Sequence, residues 1–161
     1  MKQDISQKKQ GIDFSGYDSI VIKKHISDIE GGRTLDMKDF PLDVVYAAHV
    51  IISTTNGETG EKTYKPMPIK VKTVTTGEGA EAVTTDVVDE EGNKVYEYDA
   101  LPEGATIEGV LYRSILKTKP AASILIDGIV NDKVMKFQLG AIADDFAAAC
   151  KHIIFKHDEE A

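Results

Sequence analysis

The sequence predicts a mainly β chain: a small β-sandwich or barrel-like domain with one C-terminal helix and an extended N-terminal arm. Three observations carry this expectation. Runs rich in β-branched and apolar residues recur at 19–26, 44–52 and 122–130. Turn signals punctuate them, among them Gly31-Gly32, Asn56-Gly57 and Pro102-Glu103-Gly104. Apolar positions at helical spacing occur persuasively only from Gly140 onward. A chain of 161 residues fits one ordinary domain. The expected division is an arm at 1–19, a β-rich body at 20–155 with an acidic hairpin or insertion at 78–108, and a tail at 156–161.

Each element has its own basis. Residues 1–19 are polar, with Lys8, Lys9, Gly11 and Gly16 among scattered apolar positions, and read as the arm. Ser19-Ile20-Val21-Ile22-Lys23-Lys24-His25-Ile26 is the first strand signal. The run at 44–52 is apolar enough to be buried on both faces. The stretch at 64–72 alternates after Pro66 and Pro68, and those prolines place its start at a sheet edge or in an extended segment. Residues 83–88 and 94–98 flank Asp89-Glu90-Glu91-Gly92-Asn93 as the two sides of a hairpin. Strands follow at 107–116 and 122–130, the second containing Asp127-Gly128, a bulge or turn signal. The helix aligns Ile142, Phe146, Ala149, Cys150 and Ile153 on one stripe, with Asp144 and Asp145 near its start, where the helix dipole favours negative charge.

The net charge of −8 is unevenly placed. Residues 1–77 carry 11 basic and 10 acidic side chains, and 109–161 carry seven of each. Residues 78–108 hold 10 acids against Lys94 alone. A segment of that kind repels phosphate backbones, so no nucleic-acid partner is expected. No apolar run approaches the roughly 18 residues that cross a bilayer, and the N-terminus lacks the apolar stretch of a signal peptide, so no membrane partner is expected either.

Candidate chemistry is sparse. Cys150 is the sole cysteine, which excludes an intrachain disulfide, and its place on the apolar stripe reads as core. His25, His49, His152 and His157 have no metal-ligand spacing. Asp86, Asp89, Glu90 and Glu91 crowd a turn without the spacing of a calcium loop. Gly31-Gly32-Arg33-Thr34 lacks the lysine and length of a phosphate loop, and no serine lies in a nucleophile elbow. The expectation is a structural or binding protein, not an enzyme, with no metal and no cofactor.

A family likeness adds to this. Gly31-Gly32-Arg33-Thr34-Leu35-Asp36 is followed by the apolar His49-Val50-Ile51-Ile52 and then by Tyr64-Lys65-Pro66-Met67-Pro68. Later stands Lys119-Pro120-Ala121-Ala122-Ser123-Ile124-Leu125-Ile126-Asp127-Gly128-Ile129-Val130-Asn131, ahead of an alanine-rich helix. This order resembles the auxiliary capsid, head decoration or head-fibre proteins of tailed bacteriophages, such as crAss-like phages of gut bacteria. The likeness runs with gaps over roughly residues 20–155 and leaves out the acidic stretch around 78–93. It departs from the family pattern at Asp132-Lys133-Val134-Met135-Lys136, where a longer apolar or proline-containing stretch is usual.

The resemblance implies a virion protein on the capsid exterior, made in the host cytoplasm. It would bind the major capsid protein and act as a homo-oligomer, a trimer, without a cofactor. The alternative is a head-fibre or vertex protein with a receptor- or carbohydrate-binding β-domain. Contact residues on this reading are Lys8, Lys9, Phe14 and Tyr17 of the arm, then Arg33, Leu35, Met37, Tyr64, Pro66 and Met67. The residue types leave other roles open: Leu35 and Met37 as core, Arg33 in a surface ion pair, and Tyr64, Pro66 and Met67 packing an edge strand within one subunit.

Overall fold

The structure, a computed structural model, describes residues 14–77 and 82–157. Helix α1 (Ser15–Val21) runs straight into β1 (Ile22–Asp28), followed by β2 (Arg33–Thr34), β3 (Val44–Val45), β4 (Val50–Thr55) and β5 (Lys62–Pro66). An outlying unit comes next, made of β6 (Ile69–Val71), β7 (Thr73–Thr76), β8 (Val83–Asp86) and β9 (Tyr96–Tyr98). The chain returns through β10 (Ala105–Leu111), β11 (Ile115–Leu116), β12 (Ala121–Ala122) and β13 (Ile124–Val130). Two 3-10 turns, Asp132–Val134 and Gly140–Ile142, lead to helix α2 (Ala143–Ala149) and β14 (Ile153–Phe155).

One six-stranded sheet organises the body, in the order β1-β13-β10-β4-β5, with β14 added parallel to β13. β10 takes the start of β13, through Val110↔Leu125 and Leu111↔Ile124, and β14 takes its end, through Gly128↔Ile153 to Val130↔Phe155. The expected burial on both faces holds. Val50, Ile52, Val110 and Leu125 belong to a core with Phe137, Ile142 and Phe146, beneath α2. Their neighbours Ile51, Leu111 and Ile124 point the other way, into a core with Leu35, Met37, Phe40 and Val45. Alternate side chains on a strand face opposite sides, so one short apolar run supplies both layers. Each fully buried aliphatic contributes about 1.5–3 kcal/mol. The short antiparallel pairs β2–β12 and β3–β11 close the second face.

Two glycines mark where backbones cross too closely for a side chain. A Cβ on Gly109 would collide with the Leu125 carbonyl, and one on Gly128 with the Lys24 carbonyl. Both stand at irregularities, one between Ile107 and Gly109 in the β4 pairing and one opposite His25–Ser27 in the β1 pairing. Of the two readings of Asp127-Gly128, bulge or turn, the structure shows the bulge.

Four expectations are corrected. Residues 15–19 are not an extended arm but most of α1, which also takes Ile20 and Val21 from the expected first strand. The helix ends at Ala149, and Ile153 lies on β14, because Ile153-Ile154-Phe155 is β-branched and aromatic and completes the edge of β13. Residues 156–157, assigned to the tail, are fastened to the body: the Lys156 N–H donates to the Val130 carbonyl at 2.9 Å, and His157 Nδ1 stands 3.0 Å from Asp132 Oδ1. The expected hairpin of 83–88 with 94–98 survives only near its tip, in the Val88↔Lys94 bridge and the bond from the Val95 N–H to the Val87 carbonyl. β8 pairs with β7 and β9 with β6.

Candidate binding surface

Helix α1 is fixed to the body by its side chains. Phe14 and Tyr17 both meet the Tyr46 ring edge to face, with centroids 6.1 and 5.5 Å away. The Tyr17 hydroxyl accepts the Lys136 N–H at 3.0 Å, and burial pushes the phenol up to about 12. Asp18 accepts from the Ser114 N–H at 3.0 Å and from the Ser114 hydroxyl at 2.5 Å, and that hydroxyl in turn accepts the Ala47 N–H at 2.9 Å. Phe14 is thus the first described residue, held against the body through Tyr46. Lys8 and Lys9 lie outside the described residues.

The outlying unit is a junction of three hairpin arms. The Lys72 N–H donates to the Val95 carbonyl, the Val87 N–H to the Lys72 carbonyl, and the Val95 N–H to the Val87 carbonyl, at 2.8, 2.8 and 2.9 Å. These bonds close a ring from which β6–β9, β7–β8 and the turn at Asp89–Asn93 radiate. Asp89 accepts the N–H groups of Glu91 and Asn93, which hold its carboxyl below the usual carboxylate range, the Asn93 N–H foremost. Lys94 crosses to Asp86 at 3.0 Å. Every residue of β7 and β8 is exposed. Registers Val74↔Thr85 and Thr76↔Val83 put Val74 and Val83 on one face of that ribbon.

Between this unit and the body lies a groove of about 670 Å³. Leu42, Asp43, Val44 and Tyr46 form one wall, with Lys136 and Phe137, and Asp89, Asn93, Lys94, Val95 and Tyr96 form the other. The Lys136 ammonium lies 5.3 Å over the Tyr46 ring.

His49 lies fully buried behind Tyr46, boxed by the rings of Phe40, Tyr98 and Phe137. Its Nε2–H donates to the Met67 carbonyl at 2.9 Å, while Nδ1 has no protein partner. Burial pulls this imidazole down to about 4. Tyr98, raised by burial, accepts the Val50 N–H at 3.0 Å. Ala48 beside it has φ 65, a left-handed turn that costs an alanine about 1 kcal/mol.

The remaining contact candidates divide. Leu35, Met37, Pro66 and Met67 are buried within the chain, so the structure assigns them to packing instead of an outer contact. Tyr64 is half-buried, and the Arg33 guanidinium lies 5.2 Å over its ring, where a surface ion pair was the alternative. Nearby, Glu108 accepts from the Ser53 hydroxyl at 2.5 Å and from the Lys62 ammonium at 2.9 Å. Burial raises this carboxyl, but those two donors outweigh it and hold it below its usual range. Burial, with the Glu108 charge added, pushes the Cys150 thiol up to about 11. Among the described residues no three His, Cys, Asp or Glu side chains are grouped to hold a metal ion, and no helix is long and apolar enough to cross a membrane.

Of the contact candidates, Phe14 lines a recess with Asp18, Tyr112 and Arg113, Pro66 lines another with Asp36 and Phe40, and Tyr17 meets the groove wall through Tyr46. Tyr46, His49, Asp43 and Tyr96 were missed, because the signal for them is a convergence of distant segments. The Asn56-Gly57-like prominence of a turn motif had no counterpart there. No protein-family model, no curated protein and no solved structure matches the chain.

Proposed function

We propose that the protein is a structural virion component that binds the outside of a phage capsid and stabilises or decorates it. The observation that carries a binding role is the β7–β8 ribbon, exposed along its whole length with Val74 and Val83 on one face. A two-stranded ribbon is marginal alone in water, and a surface that covers its apolar face stabilises it. The capsid as partner rests on the sequence resemblance to head decoration proteins.

Quantitative peptide mass spectrometry on purified particles tests this. A copy number comparable to the major capsid protein is the expected result. A far lower ratio favours the head-fibre or vertex alternative, and absence from particles that contain their capsid protein overturns the reading.

A further inference from the structure

We propose that Asn56 is a self-modifying residue, converting to aspartate and isoaspartate through a succinimide closed by the Gly57 nitrogen. The inference stands apart from the capsid reading. The Gly57 N–H gives its proton to water, and the freed nitrogen attacks Asn56 Cγ. The side-chain amide takes up a proton and leaves as ammonia. Water then adds to one of the two ring carbonyls. Cleavage of the new Cγ–N bond gives aspartate, and cleavage of the original peptide C–N bond gives isoaspartate. Nucleophile and electrophile are chain neighbours, so the attack is intramolecular.

The turn is open where this chemistry needs room. Residues 55–60 are all exposed, and a Cβ built on Gly57 would meet nothing within 4 Å. Among the described residues the Gly57 N–H has no hydrogen-bond partner. Asn56 Oδ1 accepts the N–H groups of Glu58 at 2.9 Å and Thr59 at 3.2 Å. In the tetrahedral intermediate that oxygen carries the negative charge, so the same two donors serve it as an oxyanion hole. Asp127-Gly128 could close the same ring, and there the fold forbids it. Gly128 is buried, its N–H donates to the His152 carbonyl at 3.2 Å, and the Lys24 carbonyl crowds its Cα. The other two asparagines, Asn93 and Asn131, precede Lys94 and Asp132 instead of glycine. The aspartate product keeps both N–H partners and adds a charge. Isoaspartate routes the main chain through Cγ and so disturbs the Asn56 N–H bond to the Glu61 carbonyl, 2.9 Å, at the end of the β4–β5 hairpin.

The test is peptide mass spectrometry of the full chain, sampled during incubation at mildly alkaline pH and body temperature. The peptide that contains Asn56 should gain the mass of NH replaced by O, with aspartate and isoaspartate told apart by electron-transfer fragmentation. Asn93 and Asn131 should stay intact over the same period, and Asp127 should not isomerise. Gly57→Ala, whose methyl group hinders the attacking nitrogen, should slow the conversion about tenfold or more. The isolated peptide of residues 53–60 has the same dipeptide without the fold. Because the folded turn supplies the two oxyanion donors, the full chain should convert no more slowly than that peptide. Slower conversion in the full chain means that the turn protects Asn56, and overturns the proposal. Conversion of Asn93 or Asn131 at the same rate, or an unchanged rate in Gly57→Ala, also overturns it. None of these outcomes depends on particle composition, so this inference can fail while the capsid reading stands.

Discussion

His49 is neutral because nothing around it can share a second proton's charge: three aromatic rings box it in, and the Met67 carbonyl takes its single N–H. The unfolded chain takes up that proton near pH 6.5, whereas the folded one resists until about 4. Between those values the unfolded state binds more protons, so stability is full above the window and falls as pH drops through it. The loss from this one group approaches about 3 kcal/mol at the acid end. Urea unfolding at pH 7 and pH 4 should show that increment in the parent chain and lack it in His49→Phe, whatever the carboxylates add to both. The orphaned Nδ1 already costs about 1–3 kcal/mol, which His49→Phe would relieve while leaving the Met67 carbonyl without its donor.

At the level of elements, the three-armed unit and the six-stranded sheet are held by different means. The sheet has two apolar cores, whereas β7 and β8 have no buried residue. The unit's order therefore leans on its ring of backbone bonds through Lys72, Val87 and Val95. Val87→Pro removes the N–H that donates to Lys72. Hydrogen exchange in β7 and β8 should then quicken by about tenfold or more, with β4, β10 and β13 unchanged. Equal acceleration in both regions would mean that the unit and the sheet open together. Helix α1 gives the contrasting lesson. Its sequence, Ser-Gly-Tyr-Asp-Ser-Ile-Val, mixes a glycine with β-branched residues and favours a helix poorly. Tyr17 on Tyr46 and Asp18 on Ser114 override that preference, and neither contact is visible from local sequence.

For the molecule as a whole, β13 is the strand on which everything converges, since β1, β10 and β14 all pair with it. Gly109→Ala drives a methyl group into the Leu125 carbonyl, which neither backbone can yield without shifting the sheet. Overpacking of this kind costs about 3 kcal/mol. Calorimetry should show the melting temperature lowered by on the order of 10 °C. How much of this was legible in the sequence follows from range. The Val50-Ile51-Ile52 run announced a doubly buried strand, Asn56-Gly57 a turn, in which Asn56 Oδ1 accepts from Glu58 and Thr59, and Asp127-Gly128 a bulge or turn, which is a bulge. Partner choice was not legible. Residues 83–88 and 94–98 look like mates because they are neighbours, yet each finds better pairing upstream, in β7 and β6. The groove was hidden for the same reason, its walls being some fifty residues apart at Tyr46 and Tyr96.

The ring at Lys72, Val87 and Val95 also makes the chain a natural display frame. Its bonds lie outside the turn at Asp89–Asn93, so foreign peptide spliced between Asp89 and Asn93 lengthens a spoke and leaves the hub untouched. If the protein coats a particle, that spoke is where such a passenger would ride.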